Sequence, residues 1–242
     1  MKPSVLIVVP SRMGSQRFPG KVLAELDGKP IVRWCWDAAR SSEVGDVLIA
    51  TEDKKVAEVV WAFGGEAVLT SAKLQSGTDR VFEAAAGRKV DFILNVQGDQ
   101  PFIKPATIKA VVEVLVKEPA ADISTAVMPL DDAERINDPN VVKAVMSEKG
   151  RCLYFSRSPI PYERNSGAKR WEHLGIYGYR RASLEKFVKL PPSPLELVES
   201  LEQLRALEAG MQIFAAVVSD VPVAIDTPAD LARAETFLRR TK

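Results

Sequence analysis

The loop PSRMGSQRFPGK, residues 10–21, carries the first group of side chains that could do chemistry. Three of them are cations, Arg12, Arg17 and Lys21, and the loop directly follows the apolar run Val5–Val9. Because ligands of α/β proteins bind at the carboxyl ends of strands, this is the expected place for a binding loop. Forked arginine donors, a lysine charge and exposed backbone N–H groups together bind phosphates. The loop therefore predicts a triphosphate site, and the alternative is a solvated basic loop.

Two acidic loops could supply a metal site beside it. Asp99 lies in NVQGDQP, residues 95–101, immediately after the apolar run Phe92–Val96, and Gly98 allows the backbone to turn closely there. Asp226 lies in IDTP, between the last apolar strand and the final helix. Magnesium takes one or two protein carboxylates and completes its shell with phosphate oxygens and water. The pair predicts a divided metal site, whereas each aspartate alone also fits a turn cap or a helix cap.

Composition and spacing exclude several classes of function. Lys plus Arg, 33 residues, nearly balances Asp plus Glu, 32 residues, so no global positive field attracts nucleic acid or a membrane surface. Cys35, Cys152 and His173 lack the spacing of a disulfide framework or a zinc site. Neither GxxxxGK[ST] nor GxGxxG follows the first strand, which argues against a P-loop and a dinucleotide fold. Without a signal peptide or an apolar run of about 18 residues, the expected location is the cytoplasm.

The elements that must position these loops alternate in the first half of the chain, as in βαβ units of a mostly parallel sheet. Strands are predicted at Val5–Val9, Val47–Ala50, Ala67–Leu69 and Phe92–Val96. Helices are predicted at Pro30–Arg40, Asp53–Phe63 and Asp79–Ala86. This pattern predicts a doubly wound α/β core with both acidic and basic loops at its ligand-binding edge.

The second half has a different pattern, which predicts antiparallel additions to the sheet. Strands are predicted at Ile123–Met128, Val141–Met146, Cys152–Phe155, His173–Tyr179 and Ile213–Val218. Residues 157–171 form a long loop that could cover a site or meet a partner subunit. One strong helix is expected from Ser193, with Glu196 in a capping box and an apolar stripe of Leu197, Leu201 and Leu204, and a closing helix at Pro228–Leu238. We expect a single domain with an insertion around 130–180.

Several motifs in one order resemble the 3-deoxy-manno-octulosonate cytidylyltransferase family over almost the whole chain. The first loop resembles the signature Rx(2)SxRxPGK of sugar nucleotidyltransferases. The matching segments are PSRMGSQRFPGK, QSGTDR from Gln75, NVQGDQP, LYFSRSPIPY from Leu153, HLGIYGYR from His173, LEQLRALEAG from Leu201 and IDTPADL from Ile225.

The resemblance implies a Rossmann-like, GT-A-like nucleotidyltransferase fold and a magnesium-dependent homodimer. It also implies that the insertion around 130–180 serves dimerisation and sugar binding. It implies transfer of CMP from CTP to 3-deoxy-manno-octulosonate (Kdo), an eight-carbon acidic sugar of bacterial lipopolysaccharide, with release of pyrophosphate. The implied catalytic residues are Arg12, Lys21 and Asp99, and the implied metal ligands are Asp99 and Asp226. Nucleotide binding is implied for Pro10, Ser11, Arg12, Lys21, Gln75, Ser76 and Gly77. Sugar binding is implied for Arg80, Gln97, His173, Tyr177, Glu202 and Gln203, with His173 as a hydrogen-bonding residue and not the general base.

Departures from the commoner family pattern leave alternatives open. Ser11 and Met13 replace residues often found as Ala and Tyr, and Gln100 follows Asp99 where Glu is frequent. The 8-amino analogue of Kdo, another acidic sugar such as a sialic acid, relaxed nucleotide preference and a non-catalytic nucleotide-binding regulator are the alternatives. Arg157 and Arg164 are candidates for the sugar carboxylate or for a dimer loop.

Overall fold

The computed structural model describes residues 3–15, 17–219 and 224–241, and for residues 240 and 241 it describes the backbone only. Contacts between residues divide the chain into two compact units, Met1–Ile108 with Pro222–Lys242 and Lys109–Val221. The second unit includes the residues of the insertion predicted around 130–180 and extends beyond them at both ends. Gln16, in the middle of the first loop, lies outside the described residues.

The described elements alternate along the chain. The strands are β1 Val5–Pro10, β2 Glu25–Leu26, β3 Lys29–Pro30, β4 Asp46–Thr51, β5 Glu66–Leu69, β6 Phe92–Asn95, β7 Ile123–Pro129, β8 Lys143–Met146, β9 Cys152–Ser156, β10 Trp171–Arg180 and β11 Ile213–Val217. The α-helices are α1 Ile31–Ser41, α2 Lys54–Ala62, α3 Gly77–Ala84, α4 Pro105–Lys117, α5 Ala133–Asn137, α6 Arg181–Phe187, α7 Pro194–Glu199, α8 Gln203–Glu208 and α9 Pro228–Thr241. A short 3₁₀ turn at Lys21–Leu23 follows the first loop.

The first unit contains a parallel sheet in the order β6, β1, β4, β5. Its central strand β1 is buried from Val5 to Val9, because helices cover both faces of a parallel sheet of this kind. The β-branched apolar runs at these strands favour pleated, buried backbone, and all four predicted strands are confirmed. Parallel pairing brings the carboxyl ends of β1, β4, β5 and β6 to one edge.

The helices of the first unit follow their predicted positions, with one shift. Pro30 precedes α1, and Asp53 caps α2 by accepting a hydrogen bond from the Lys55 N–H. Helix α3 begins at Gly77 rather than at Asp79, because Ser76 and Asp79 form a capping box that satisfies the first backbone donors. Asp79 therefore lies in the first turn of α3.

The second unit has the predicted antiparallel pairing. Strand β7 pairs antiparallel with β10 and parallel with β11, and β8 pairs antiparallel with β9 and β10. The turn between β8 and β9 contains Gly150 at φ +80°, a backbone conformation that side chains disfavour.

The single strong helix predicted after Ser193 is wrong. The capping box of Ser193 and Glu196 forms, but the helix ends at Glu199 because Ser200 adopts a left-handed φ of 52°. A second helix, α8, begins at Gln203. The break ends the assumed 3.6-residue period, so Leu197 is 68% exposed while Leu204 is fully buried.

Three helices are absent from the sequence predictions, α4, α5 and α6. The longest of them, α4, buries Ile108, Val111 and Leu115. Their helical spacing in the sequence would have allowed this helix to be predicted.

Candidate functional site

The predicted triphosphate loop and both acidic loops converge in the first unit. Lys21 Nζ lies 2.9 Å from Asp99 Oδ2 and 2.9 Å from Asp226 Oδ1. Only 11% of the Lys21 side chain is exposed. Residues separated by up to 205 positions along the chain thus form one cation–carboxylate cluster. The predicted convergence is confirmed.

Backbone contacts hold the three loops together. The Ser11 N–H donates to Ala50 O at 2.8 Å, which fixes the start of the first loop against the end of β4. The Ile225 N–H donates to Asp99 O at 2.9 Å and joins the two acidic loops. A Cβ placed on Gly98 would lie 2.5 Å from Pro10 O, so only glycine permits this approach between loops.

The two arginines of the first loop differ in their contacts. Arg17 Nη2 lies 3.1 Å from Asp226 Oδ2, on the carboxylate that Lys21 also contacts. Arg12 is exposed, and among the described residues no acidic side chain pairs with it. Arg12 is therefore a cation available to an anionic ligand.

Electrostatics keep Lys21 charged. Burial disfavours its ammonium, but the carboxylates of Asp99 and Asp226 together outweigh that effect and raise the pKa of Lys21 above its ordinary value of 10.5. Lys21 thus places one positive charge in contact with both carboxylates.

These residues line a cleft of about 500 Å³, a volume in the range of small-molecule sites. The predicted residues that line it are Pro10, Arg12, Lys21, Ser76, Gly77, Arg80, Gln97, Asp99 and Asp226. Ser15, Arg17, Val22, Leu74 and Gly98 also line it, and of these only Arg17 and Gly98 had been singled out in the sequence.

Two predicted nucleotide-binding residues are outside the lining. Ser11 is fully buried, and its hydroxyl lies 3.4 Å from Val9 O. Gln75 is exposed, and its amide donates to Lys73 O at 3.4 Å. Ser11 therefore packs in the interior at the start of the loop.

The remaining predicted sugar-binding residues belong to the second unit. There the Tyr177 hydroxyl donates to Gln203 Oε1 at 3.1 Å, and the His173 and Tyr177 rings are 5.4 Å apart. Gln203 is 5% exposed, and its Nε2 has no hydrogen-bond partner among the described residues. A buried amide without a partner is costly, so a polar ligand group is the expected complement. Glu202 immediately precedes it as the N-cap of α8.

His173 is held as a neutral ring. Its Nε2 lies 2.9 Å from Thr125 Oγ1, and that hydroxyl also lies 2.7 Å from Ile176 O. Burial lowers the pKa of His173 to about 3, because the imidazolium would lose its hydration. A proton-accepting role near neutral pH does not suit a base of this strength.

The carboxylates of the cleft are the candidate ligands of a metal ion. No group of three or more His, Cys, Asp or Glu side chains that could hold a metal occurs among the described residues. Asp99 and Asp226 form a pair of hard oxygen donors in a cleft large enough for phosphate oxygens and water. This set fits magnesium, which needs no complete protein cage, and does not fit zinc.

Other sequence candidates have local roles. Arg157 donates to Glu199 O and Pro139 O at 2.8 Å each, so its guanidinium ties β9 to the end of α7. Arg164 is exposed in the 157–170 loop. Cys35 and Cys152 are both free and buried.

None of the helices in the described ranges is long and apolar enough to cross a membrane.

Comparisons with known proteins match this arrangement. The family model described as cytidylyltransferase matches residues 6–213. The 3-deoxy-manno-octulosonate cytidylyltransferase of Elusimicrobium minutum is 49% identical, over 97% of this chain and 98% of the relative. The enzyme of the same name from Rhodopseudomonas palustris strain CGA009 is 46% identical, over 98% of each chain.

A solved structure gives the same result at the level of the fold. The chain is similar to CMP:2-keto-3-deoxy-manno-octonic acid synthetase complexed with CTP, with a TM-score of 0.95 and 38% identity, over 99% of this chain and 100% of that one. This likeness confirms the predicted Rossmann-like nucleotidyltransferase fold. Full-length relatives and the family model agree, and the chain belongs to the 3-deoxy-manno-octulosonate cytidylyltransferase family.

Proposed function

We propose that this protein transfers CMP from CTP to Kdo, producing CMP-Kdo and pyrophosphate, and that the reaction needs magnesium. The observation that carries the proposal is the convergence of Lys21, Asp99 and Asp226 in one cleft. Cations for the triphosphate and hard oxygens for a divalent ion are both required for phosphoryl chemistry, and both are present there. The names of the full-length relatives supply the nucleotide and the sugar.

The first loop binds and orients the nucleotide. Arg12 offers a guanidinium that pairs with no acidic side chain in the described part of the chain, and Lys21 and Arg17 can exchange their carboxylate partners for phosphate oxygens. Positioning and charge neutralisation dominate nucleotidyl transfer, since direct attack of the sugar on the nucleotide leaves little covalent chemistry for the protein to do. In this arrangement the anomeric hydroxyl oxygen of the sugar attacks the α-phosphorus of CTP, the bond from that phosphorus to the leaving pyrophosphate breaks in line, and the hydroxyl proton passes to water.

Asp99 and Asp226 would hold magnesium, which neutralises phosphate charge and lowers the pKa of a nearby hydroxyl when bound. The other polar groups of the chain orient the acceptor. Tyr177 stays protonated, because burial raises the pKa of its hydroxyl well above 10. Tyr177, Gln203 and neutral His173 can therefore hydrogen-bond sugar hydroxyls without taking a proton from them.

The Asp99→Asn variant tests the role of the carboxylate at nearly constant size. We expect pyrophosphate release with CTP, Mg²⁺ and Kdo to fall by roughly a hundred- to a thousandfold, since fixed charge at the reacting phosphate is lost. Asp131→Asn, on an exposed loop of the second unit, is the matched control and should keep wild-type release. Near-normal release by Asp99→Asn, with thermal unfolding unchanged, would defeat the assignment.

A substrate panel tests the identity of both substrates. Wild-type protein is assayed for pyrophosphate release with Kdo, its 8-amino analogue and a sialic acid, each with all four nucleoside triphosphates. Kdo with CTP should have the highest kcat/KM. CTP binding without release from any acceptor would indicate a nucleotide-binding regulator instead.

We further propose that the protein is a cytoplasmic homodimer that serves lipopolysaccharide synthesis. Helix α7 leaves Leu197 68% and Val198 83% exposed, and Tyr162 in the 157–170 loop is 88% exposed. Exposed apolar side chains of this kind are typical of an association surface. Sedimentation should give a dimer for the wild type and a monomer for a Leu197→Glu, Val198→Glu variant, and a wild-type monomer would refute the dimer.

A further inference from the structure

Arg80 is a buried cation that nevertheless faces the cleft. It lies in α3, its side chain is only 6% exposed, and it lines the cleft together with Lys21 and Asp99. A guanidinium removed from water is costly unless charged or polar groups compensate it. Its conformation must therefore be set by neighbours of the first unit.

Two residues contact the same nitrogen of Arg80. Glu52 Oε2 lies 3.0 Å from Nη1, and Nη1 donates a hydrogen bond to Thr70 Oγ1. The Glu52 contact is an ion pair rather than an aligned hydrogen bond, because this oxygen has no hydrogen-bond partner among the described residues. Glu52 thus attracts this end of the guanidinium through its charge, and Thr70 orients it through a hydrogen bond.

The fold ties those two residues together. Glu52 follows the end of β4 and Thr70 follows the end of β5, which are paired neighbours in the sheet. The Thr70 N–H donates to Thr51 O at 2.8 Å, and the Asp53 N–H donates to Thr51 Oγ1 at 3.2 Å. Glu52 and Thr70 are therefore attached to a rigid edge rather than to a free loop.

This arrangement leaves part of the guanidinium for a ligand. Nη1 is occupied, whereas Nε and Nη2 have no hydrogen-bond partner among the described residues and are not among the fully buried unpaired atoms. Forked N–H donors of this kind bind the paired oxygens of a carboxylate or a phosphate.

We infer that Glu52 and Thr70 are positioning residues, which fix Arg80 so that its remaining donors bind an anionic group of a substrate. The inference rests on the proposed function and extends it to two residues outside the family-derived assignments. The anion is either the sugar carboxylate or a phosphate of CTP, which present the same chemistry to a guanidinium.

Glu52→Ala and Thr70→Val test the inference, with KM, kcat and equilibrium binding measured separately for CTP and for Kdo. We expect KM and Kd for one of the two substrates to rise about tenfold, with a smaller change in kcat, because one strong directional contact is lost. The substrate affected identifies the anion. Glu52→Asp, which keeps the negative charge, should recover part of the loss, whereas Glu52→Gln, which keeps the size but removes the charge of the ion pair, should not. If Glu52→Ala fails to fold, Thr70→Val carries the same comparison.

A double-mutant cycle with Arg80→Gln separates positioning from a general structural effect. If Glu52 acts through Arg80, the double variant should bind no worse than Arg80→Gln alone. Glu66→Ala is the matched control, because Glu66 forms an ion pair with Arg88 away from the cleft. Unchanged KM in Glu52→Ala and Thr70→Val, or additive losses in the double variant, would overturn the inference. A wild type that binds CTP but releases no pyrophosphate would overturn the proposed function instead, and the binding comparison would still decide the role of Glu52.

Discussion

Replacing Lys21 by methionine removes an ammonium from between two carboxylates and keeps an unbranched side chain of similar length. In the structure Nζ lies 2.9 Å from both Asp99 Oδ2 and Asp226 Oδ1. If Asp99 and Asp226 hold a divalent ion as proposed, that ion would have to compete with this ammonium until a triphosphate binds Lys21. The Lys21→Met variant should bind a divalent ion without nucleotide, and the wild type should bind it tightly only with CTP.

The magnitude follows from the two contacts that Lys21 makes. A hydrogen bond to a charged group contributes about 1.5–3 kcal/mol when well buried. Here the Asp99 and Asp226 side chains are 28% and 35% exposed, so solvent screening reduces that figure. Taking about 1.4 kcal/mol for the pair, nucleotide-free affinity for the ion should rise about tenfold in Lys21→Met. CTP affinity should fall by a similar factor, since a phosphate-binding cation is lost.

Manganese provides the measurement, because free Mn²⁺ is counted directly by electron paramagnetic resonance. Titrations are made with and without CTP for the wild type, Lys21→Met and the control Lys117→Met. Lys117 is a 73% exposed lysine that pairs with Glu113 on α4. The reasoning is refuted if Lys21→Met binds Mn²⁺ no more tightly than the wild type without CTP, or if CTP does not increase wild-type affinity.

Two further predictions concern stability. Gly98→Ala should lower the free energy of unfolding by about 1–3 kcal/mol, because the new Cβ would lie 2.5 Å from Pro10 O; Gly14→Ala, with nothing within 4 Å, should change it little, and equal denaturation curves for both would contradict the prediction. The pKa of His173 in the folded protein is about 3, below the ordinary histidine value of 6.5. The stability that neutral His173 contributes is therefore complete above pH 6.5 and is lost as the pH falls below 6.5. Since the chain has one histidine, protonation of that residue in the unfolded chain should lower the unfolding free energy by about 2 kcal/mol between about pH 7 and about pH 5. Denaturation curves at the two pH values should show a drop that is smaller by this amount in His173→Asn.

Local patterns in the sequence predicted the frame of the first unit. The apolar runs at Val5–Val9 and Phe92–Val96 are buried strands, and the loops that follow them lie at one edge of the parallel sheet. Hydrophobic period, capping residues and strand order act over a few residues or follow general rules of α/β topology, so they are readable without coordinates. The same locality made the capping box of Ser193 and Glu196 predictable.

Other features depended on the competition between local preference and tertiary contacts. The apolar residues on both sides of Ser200 have helical spacing, which favours one continuous helix. Ser200 instead adopts the left-handed backbone conformation, which normally costs about 1–2 kcal/mol, and the helix ends there. Contacts elsewhere in the second unit must offset that cost. The six residues of α7 do not indicate those contacts, so the end of this helix could not be predicted from its own sequence.

By itself, the sequence determined the family, the parallel core of the first unit and the place of the cationic and acidic loops. Only the tertiary structure decided which charges meet: Lys21 bridges Asp99 and Asp226, and Glu52 with Thr70 holds Arg80. The physical reason is that an ion pair depends on a few ångströms of separation and on burial. Residue types and their spacing specify neither for side chains that the chain brings together from distant positions.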